Sequence, residues 1–302
     1  MTKMSNWLAY ACVTTLLWGV WGAYAGTPSE HGFPDTLIYV VWALTMIAPA
    51  CYAMRRAGWR LKRDARSIWL GLVIGVLGAG GQMILFHAVK VGPTYLIFPI
   101  ISLSPMVTIA LSYFLLKERV GKLGVLGIVL AACSLPLFDY SPDGGGASLG
   151  WWFVLALAVL VAWGLQSYFI RLANDSMDAE SIFFYMMVSG LAFIPVALAL
   201  TDFSQPINLG WNGPYLAALT QILNAAGALT LVYAFRYGKA IVVSPLVNAG
   251  APLLTSVIAM AGAGALPGGA KLAGIGLALA AALLLALPDG DADAAATSGT
   301  PT

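Results

Sequence analysis

Histidine, serine and cysteine are the side chains from which a nucleophile or a metal site is usually built, and here they are scattered. The two histidines are His31 and His87. Ser102 and Ser104, taken with His87, come nearest to a nucleophile–base set, and no Gly-x-Ser-x-Gly elbow accompanies them. Three cysteines, Cys12, Cys51 and Cys133, sit in separate apolar runs without the short spacing of a metal or redox pair. They are expected to be buried, inert thiols. Gly121-Lys122 and Gly238-Lys239 lack the glycine spacing and the Ser/Thr of a phosphate-binding loop. No metal, cofactor or catalytic residue is expected, and the chain is not read as an enzyme.

A different chemistry recurs. Neutral polar and aromatic residues fall at helical spacing inside apolar runs. Trp18 and Trp21 form one such group, and Trp163, Gln166 and Ser167 another. Gln82 continues a stripe with Gly75 and Gly78; Gln221 and Asn224 form a similar stripe further on. Ser244, Asn248 and Thr255 share a face, at offsets of 4 and 7. Together with Ser102, these groups could hold a small neutral or amphipathic organic molecule. The candidate binding set is therefore Trp18, Trp21, Gln82, Ser102, Trp163, Gln166, Gln221, Asn224, Ser244 and Asn248. For each amide the competing role is an interhelical hydrogen bond, worth about 0.6 kcal/mol on average in a membrane. No charged residue falls near the centre of an apolar run, so the obvious carboxylate for proton coupling is missing. His87, beside Lys90, and Glu118, among Lys117, Arg119 and Lys122, are the candidates for a gate or coupling group. The plainer roles are an interfacial histidine and a local ion pair.

The elements that must position these groups are membrane helices. The 302 residues are 60% hydrophobic and 9% charged, with a formal net charge of +2 and a mean hydropathy of +0.85. An ordinary soluble domain carries about 25% charged residues. A soluble enzyme, a disordered chain and a nucleic-acid binder are all excluded on this balance. Ten runs approach the roughly 20 apolar residues that a spanning helix needs. They lie near 7–25, 37–54, 68–89, 94–116, 121–138, 151–171, 181–201, 213–236, 240–262 and 271–288. Turn residues fill the gaps, and the Asp/Ala/Gly/Thr-rich stretch 289–302 reads as a disordered cytoplasmic tail. Ala23-Tyr24-Ala25 has the pattern of a signal-peptide cleavage site, but the repeat described next includes this segment, so it is read as part of the fold.

With ten spans and the N-terminus in the cytoplasm, 13 Lys and Arg residues fall inside and only Lys90 and Lys271 outside. This matches the bias toward positive charge inside and argues for both termini in the cytoplasm. The halves resemble each other at an offset of about 146 residues. Trp18-Gly19 meets Trp163-Gly164, Ala88-Val89-Lys90-Val91-Gly92 meets Ala234-Phe235-Arg236-Tyr237-Gly238, and Pro99 meets Pro245. After a shift of one residue Pro105 meets Pro252 and Thr108 meets Thr255. Five spans per half is an odd number, so the second half enters the membrane inverted, as in many secondary transporters. Pro99, Pro105, Pro245 and Pro252 remove helix hydrogen bonds in the fourth and ninth spans. Paired breaks of this kind point to a central site with hinges beside it; packing kinks with no ligand nearby are the alternative.

Ten spans in two five-helix halves, with Leu116-Lys117-Glu118-Arg119 followed by Gly121 and Gly127, resemble the drug/metabolite transporter superfamily of EamA type. The resemblance implies an all-α integral membrane fold, with repeats over 1–140 and 141–288 and a central cavity. It also implies transport of amino acids, other metabolites or drugs, mostly by export, with some members importers or sugar transporters; alternating access would follow from inverted halves that exchange conformations. In the second half Ala265 stands where the repeat puts a counterpart of Glu118. The expected partners are a small-molecule substrate and the lipid of the inner (plasma) membrane, with the protein a monomer or a weak homodimer. An intramembrane enzyme and a non-transporting receptor or scaffold are the competing readings. The topology has a direct test. Asp143→Cys is expected to react with an impermeant maleimide on intact cells, and Arg60→Cys only after the membrane is opened; the reverse pattern overturns the orientation.

Overall fold

The computed structural model describes residues 4–116, 121–139, 150–174, 176–237, 240–263 and 268–286, which contain helices and connecting turns and no strand. Glu118 and the tail 289–302 lie outside these residues. In chain order the helices are α1 (Met4–Tyr24), α2 (Thr27–Glu30), α3 (Asp35–Thr45), α4 (Ile47–Arg56), α5 (Ala65–Val91), α6 (Thr94–Ile101) and α7 (Ser104–Leu116). They continue as α8 (Lys122–Asp139), α9 (Trp151–Asn174), α10 (Ala179–Ala192) and α11 (Ile194–Ala199). A π-turn (Trp211–Tyr215) then leads into α12 (Leu216–Tyr237), α13 (Ala240–Ala263) and α14 (Gly269–Ala286). Six helical stretches among the described residues are long and apolar enough to cross a membrane, and shorter apolar helices accompany them.

Two helix starts show the local logic. Asp64 precedes α5 and its carboxylate accepts the Ser67 N–H at 3.0 Å; Asp178 does the same for Ser181 at 2.7 Å before α10. Each satisfies one of the backbone donors that a helix N-terminus leaves open.

Glycine sets which helices touch. α5 lies along α9 and α10, and α1 lies along α12 and α13. A Cβ on Gly71 or Gly75 would strike Tyr185 or Ser189 of α10, and one on Gly78 or Gly81 would strike Gln166 or Trp163 of α9. Gly227 meets Trp18, and Gly19 meets Leu254. These are the close backbone approaches that small residues permit in membranes. Gly80 differs from the other glycines of the α5 stripe, because it faces open space. α8 and α14 pack on each other at one side.

The expected breaks are found in part. Pro99 lies inside α6, and the helix stops at Ser102–Leu103 before restarting as α7 with Pro105 in its first turn. There Leu103 N–H bonds back to Ile100 O at 3.1 Å, so the Pro99 carbonyl loses its usual partner. The Ser102 hydroxyl donates to that carbonyl at 2.6 Å instead. By contrast α13 runs without interruption from Ala240 to Ala263, through Pro245 and Pro252. Matched breaks occur elsewhere: α3 gives way to α4 at Met46, and α10 to α11 at Phe193. Pro49 and Pro195 follow these breaks, 146 residues apart.

The cysteines correct an expectation. Cys12, Cys51 and Cys133 are exposed. Apolar runs in a membrane protein face lipid as well as core, so hydrophobic surroundings in sequence do not imply burial. Leu16, Phe114, Trp151 and Trp211 are likewise exposed. The glycine contacts predict stability directly. Gly81→Leu and Gly227→Leu are each expected to destabilise by about 1–3 kcal/mol through overpacking. Gly276→Leu, which meets nothing within 4 Å, is expected to leave thermal unfolding in detergent unchanged.

Candidate functional site

A cavity of about 80 Å³ opens where α1, α6, α7, α9 and α13 meet. Trp18 and Trp21 come from α1, Phe98, Ile101 and Ser102 from α6 and its break, Ser104 from α7, and Trp163 from α9. Val247, Ala251, Pro252 and Thr255 of α13 close the ring. Four members of the candidate binding set therefore stand on one wall system: Trp18, Trp21, Ser102 and Trp163. The Trp21 and Phe98 rings meet edge to face, with centroids 6.0 Å apart.

The candidate amides take up other positions. The Trp21 Nε1–H donates to Gln221 Oε1 at 2.9 Å, and the Trp18 Nε1–H to the Asn224 main-chain oxygen at 3.1 Å. Asn224 Oδ1 accepts the Trp42 Nε1–H at 2.8 Å. Gln166 Nε2 donates to Ile74 O at 3.1 Å. Gln82 and Gln221 are buried, and the Nε2 of each has no partner in the structure. None of these four amides lines the cavity. The side chains of Ser244, Pro245 and Asn248 lie outside the described residues.

The two flanks of the cavity are built alike. Thr255 Oγ1 donates to Gly19 O at 3.0 Å, and Thr108 Oγ1 to Gly164 O at 2.8 Å. The Trp18 indole lies on Gly227, and the Trp163 indole on Gly81. Each threonine captures a carbonyl that glycine has left open to a neighbouring helix. The pairings Gly19/Gly164 and Thr108/Thr255 are those of the sequence repeat. Their reciprocity, with each threonine on the opposite half from its glycine, appears only in three dimensions.

Sequence reasoning missed one charged cluster. Asp35, the first residue of α3, is buried, and its oxygens meet His87 Nδ1 at 2.7 Å and Lys90 Nζ at 3.0 Å. His87 thus has an anionic partner as well as its cationic neighbour. The available signal was the spacing of three between His87 and Lys90, which puts both on one face of α5. α3 also carries Trp42, so it ties α5 at one end and α12 further along. Lys90 is half exposed, so its pair with Asp35 is screened by solvent. A double-mutant cycle over Asp35→Asn and Lys90→Met, read by thermal unfolding, is expected to give a coupling of about 1 kcal/mol.

Comparison with known proteins agrees with this architecture. The model of the EamA-like transporter family matches residues 5–138 and again residues 150–287. The uncharacterized transporter YetK of Bacillus subtilis (strain 168) is 30% identical over 118 residues, which are 37% of this chain and 36% of that protein. The match thus spans about a third of that relative's length. A solved crystal structure with 19% identity superposes with a TM-score of 0.63 over 93% of this chain and 97% of that one, and so shares the fold. With two family matches that together span nearly the whole sequence, and with multiple apolar helices, this multi-pass membrane protein belongs to the EamA-like transporter family.

Proposed function

We propose that the protein is a secondary transporter that exports small organic molecules across the cytoplasmic membrane by alternating access. In this reading ten spans form two inverted five-helix halves with both termini in the cytoplasm. The reciprocal contacts around the cavity carry the proposal. Thr255 reaches Gly19, and Thr108 reaches Gly164; Trp18 seats on Gly227, and Trp163 on Gly81. Each flank thus joins the first span of one half to the third and fourth spans of the other. One group is α1 with α12 and α13, and the second is α9 with α5, α6 and α7.

Two near-equivalent groups around one cavity can exchange conformations, and this exchange opens the cavity to one side and then the other. The break at Ser102–Leu103 lies on the cavity wall and serves as a bend in the second group. Pro105, at the start of α7, shares that bend; Pro245 and Pro252 are its proposed counterparts in α13. α3 spans both groups through Asp35 and Trp42. Its break at Met46, like the one at Phe193, lets such a strap follow the movement. Export is the direction that the family resemblance favours. His87 and Glu118 remain the proposed gate or coupling groups, and the buried Gln82, Gln166, Gln221 and Asn224 are proposed to act through the helices and indoles they hold.

Accessibility tests the cycle. An Ala251→Cys variant of a cysteine-free protein is expected to react with an impermeant maleimide from either side of reconstituted vesicles, in proportions that shift when a transported substrate is added. Reaction from one side only, unchanged by every substrate in a metabolite panel, would reject alternating access. Asn224→Ala leaves the buried Trp42 N–H without its acceptor, a loss of about 1–3 kcal/mol. It is expected to reduce flux at least fivefold while membrane abundance stays within twofold; unchanged flux removes Asn224 from the mechanism.

A further inference from the structure

Six of the chain's 15 Lys and Arg residues fall within 55–66: Arg55, Arg56, Arg60, Lys62, Arg63 and Arg66, with Asp64 as the one acid among them. The segment at the repeat offset of 146, residues 201–212, has no Lys or Arg. Residues 57–64 join two of the long apolar stretches, Asp35–Arg56 and Ala65–Val91. Orientation needs only a bias of charge between the two membrane faces, so it does not by itself call for this concentration in one link. All six residues are exposed. Among the described residues Arg55, Arg60, Arg63 and Arg66 make no ion pair. Arg56 lies over the Tyr233 ring, 5.6 Å from its centroid. The Asp64 carboxylate is turned to the start of α5, where it accepts the Ser67 N–H. The backbone of the link is held. Trp59 N–H bonds to Met54 O at 2.8 Å and closes α4. Lys62 N–H donates to Ser181 Oγ at 3.1 Å, and the Lys62 carbonyl accepts the Tyr185 hydroxyl at 2.7 Å. Both partners belong to α10, so the main chain is pinned to the bundle while the cationic side chains stay outside it.

The carbon beside these cations also faces outward. Trp69, Leu72 and Val76 are exposed, and with exposed Arg66 they stand at spacings of three and four along one face of α5. Trp59 lies open beside Arg60, on a backbone at φ 57° that an L-residue adopts at a cost. An indole without protein cover gains most at a bilayer interface, where its body meets carbon and its N–H meets the headgroup layer. A strip of outward carbon that ends in guanidinium groups matches the acyl chain and phosphate of a phospholipid in that order. Five of the six cations are arginines, whose planar fork pairs with two phosphate oxygens at once. Clusters of about four to eight basic residues directly beside a spanning helix attract anionic lipid. We propose that residues 55–66, together with the exposed face of α5, are a binding site for an anionic phospholipid of the adjoining leaflet, the cytoplasmic one in the proposed orientation. An acidic protein segment would match the charge but leave the apolar face and the two indoles unused. Such a site needs only that the chain lies in a membrane, and it is independent of what the chain transports.

Native mass spectrometry of the purified full-length protein in detergent measures the affinity for each lipid. The probes are dioleoyl phosphatidylglycerol, dioleoyl phosphatidylcholine and glycerophosphoglycerol, which is the headgroup of the first without its chains. The wild-type protein is expected to bind phosphatidylglycerol at least fivefold more tightly than phosphatidylcholine. Arg60→Gln, Lys62→Gln and Arg63→Gln combined are expected to bring that ratio to within about twofold. The anchors of Lys62 are main-chain atoms, so these substitutions leave them in place. A charge-matched variant in another basic run, Lys117→Gln with Arg119→Gln and Lys122→Gln, is expected to keep the wild-type ratio. Equal wild-type affinity for the two lipids overturns the proposal. Equal loss in the two triple variants also overturns it, because the preference then follows net charge and not this segment. Trp69→Ala is expected to weaken phosphatidylglycerol binding at least threefold with an unchanged elution volume; unchanged affinity overturns the part assigned to the α5 face. Glycerophosphoglycerol that binds as tightly as the intact lipid reduces the site to one for free phosphate and overturns the lipid as its ligand. A poly-glutamate peptide that binds more tightly than the lipid assigns the segment to an acidic protein partner and likewise overturns it. None of these measurements involves flux, so their failure leaves the transporter reading intact.

Discussion

A carbonyl in the bilayer core has no water to turn to, and where a helix bends or a neighbour approaches closely, another protein group must satisfy it. Much of the interior of this protein follows from that constraint. Glycine opens the backbone at Gly19 and Gly164, and a threonine from a helix of the other half closes on each carbonyl. Serine does the same within its own helix at the α6–α7 break, where Ser102 takes up the Pro99 carbonyl. Each capture brings helix backbones close, and close backbones leave room for an indole only where a second glycine, Gly81 or Gly227, receives it.

The indoles then shape the cavity. Their N–H groups need acceptors once buried, and for Trp18 and Trp21 those acceptors belong to α12. Of the amides that look like ligand groups in a one-dimensional reading, Gln221 holds the Trp21 indole and Asn224 that of Trp42, while Gln166 bonds the Ile74 carbonyl. Among the described wall residues the indole N–H groups of Trp18 and Trp21 and the hydroxyls of Ser102 and Thr255 are already engaged with the protein.

α3 shows how charge is accommodated at the edge of such a structure. Asp35 is buried at the start of the helix, where two cationic or potentially cationic side chains of α5 reach it while remaining half exposed themselves. The cost of desolvating the carboxylate is offset by charge-assisted hydrogen bonds. Deeper along the same helix Trp42 turns to α12. One helix is thus anchored to α5 and to α12 by two different kinds of bond.

Much of this architecture was legible in the amino-acid sequence. Composition and run length demand a helical membrane protein, because nothing else can bury so many apolar residues with so few charges. The pairings Trp18-Gly19 with Trp163-Gly164 and Thr108 with Thr255 were visible as a repeat, as was the broken α6–α7 pair from Pro99 and Pro105. Pro49 and Pro195 obey the same offset of 146 and mark further matched breaks. Other features were decided only by tertiary structure. The outward position of Cys12, Cys51 and Cys133 could not be read from apolar runs, since lipid-facing and core-facing sides are equally hydrophobic. Nor could the continuity of α13 through two prolines be read, since neighbouring helices decide whether freed carbonyls force a break. The side-chain hydrogen bonds of Asp35 to His87 and Lys90 join residues 52 and 55 positions apart. The direction of each indole N–H depends on which helix lies behind it. Spacing along one helix fixes which residues share a face, but whether that face meets lipid, a neighbour or a cavity is a property of the packed bundle.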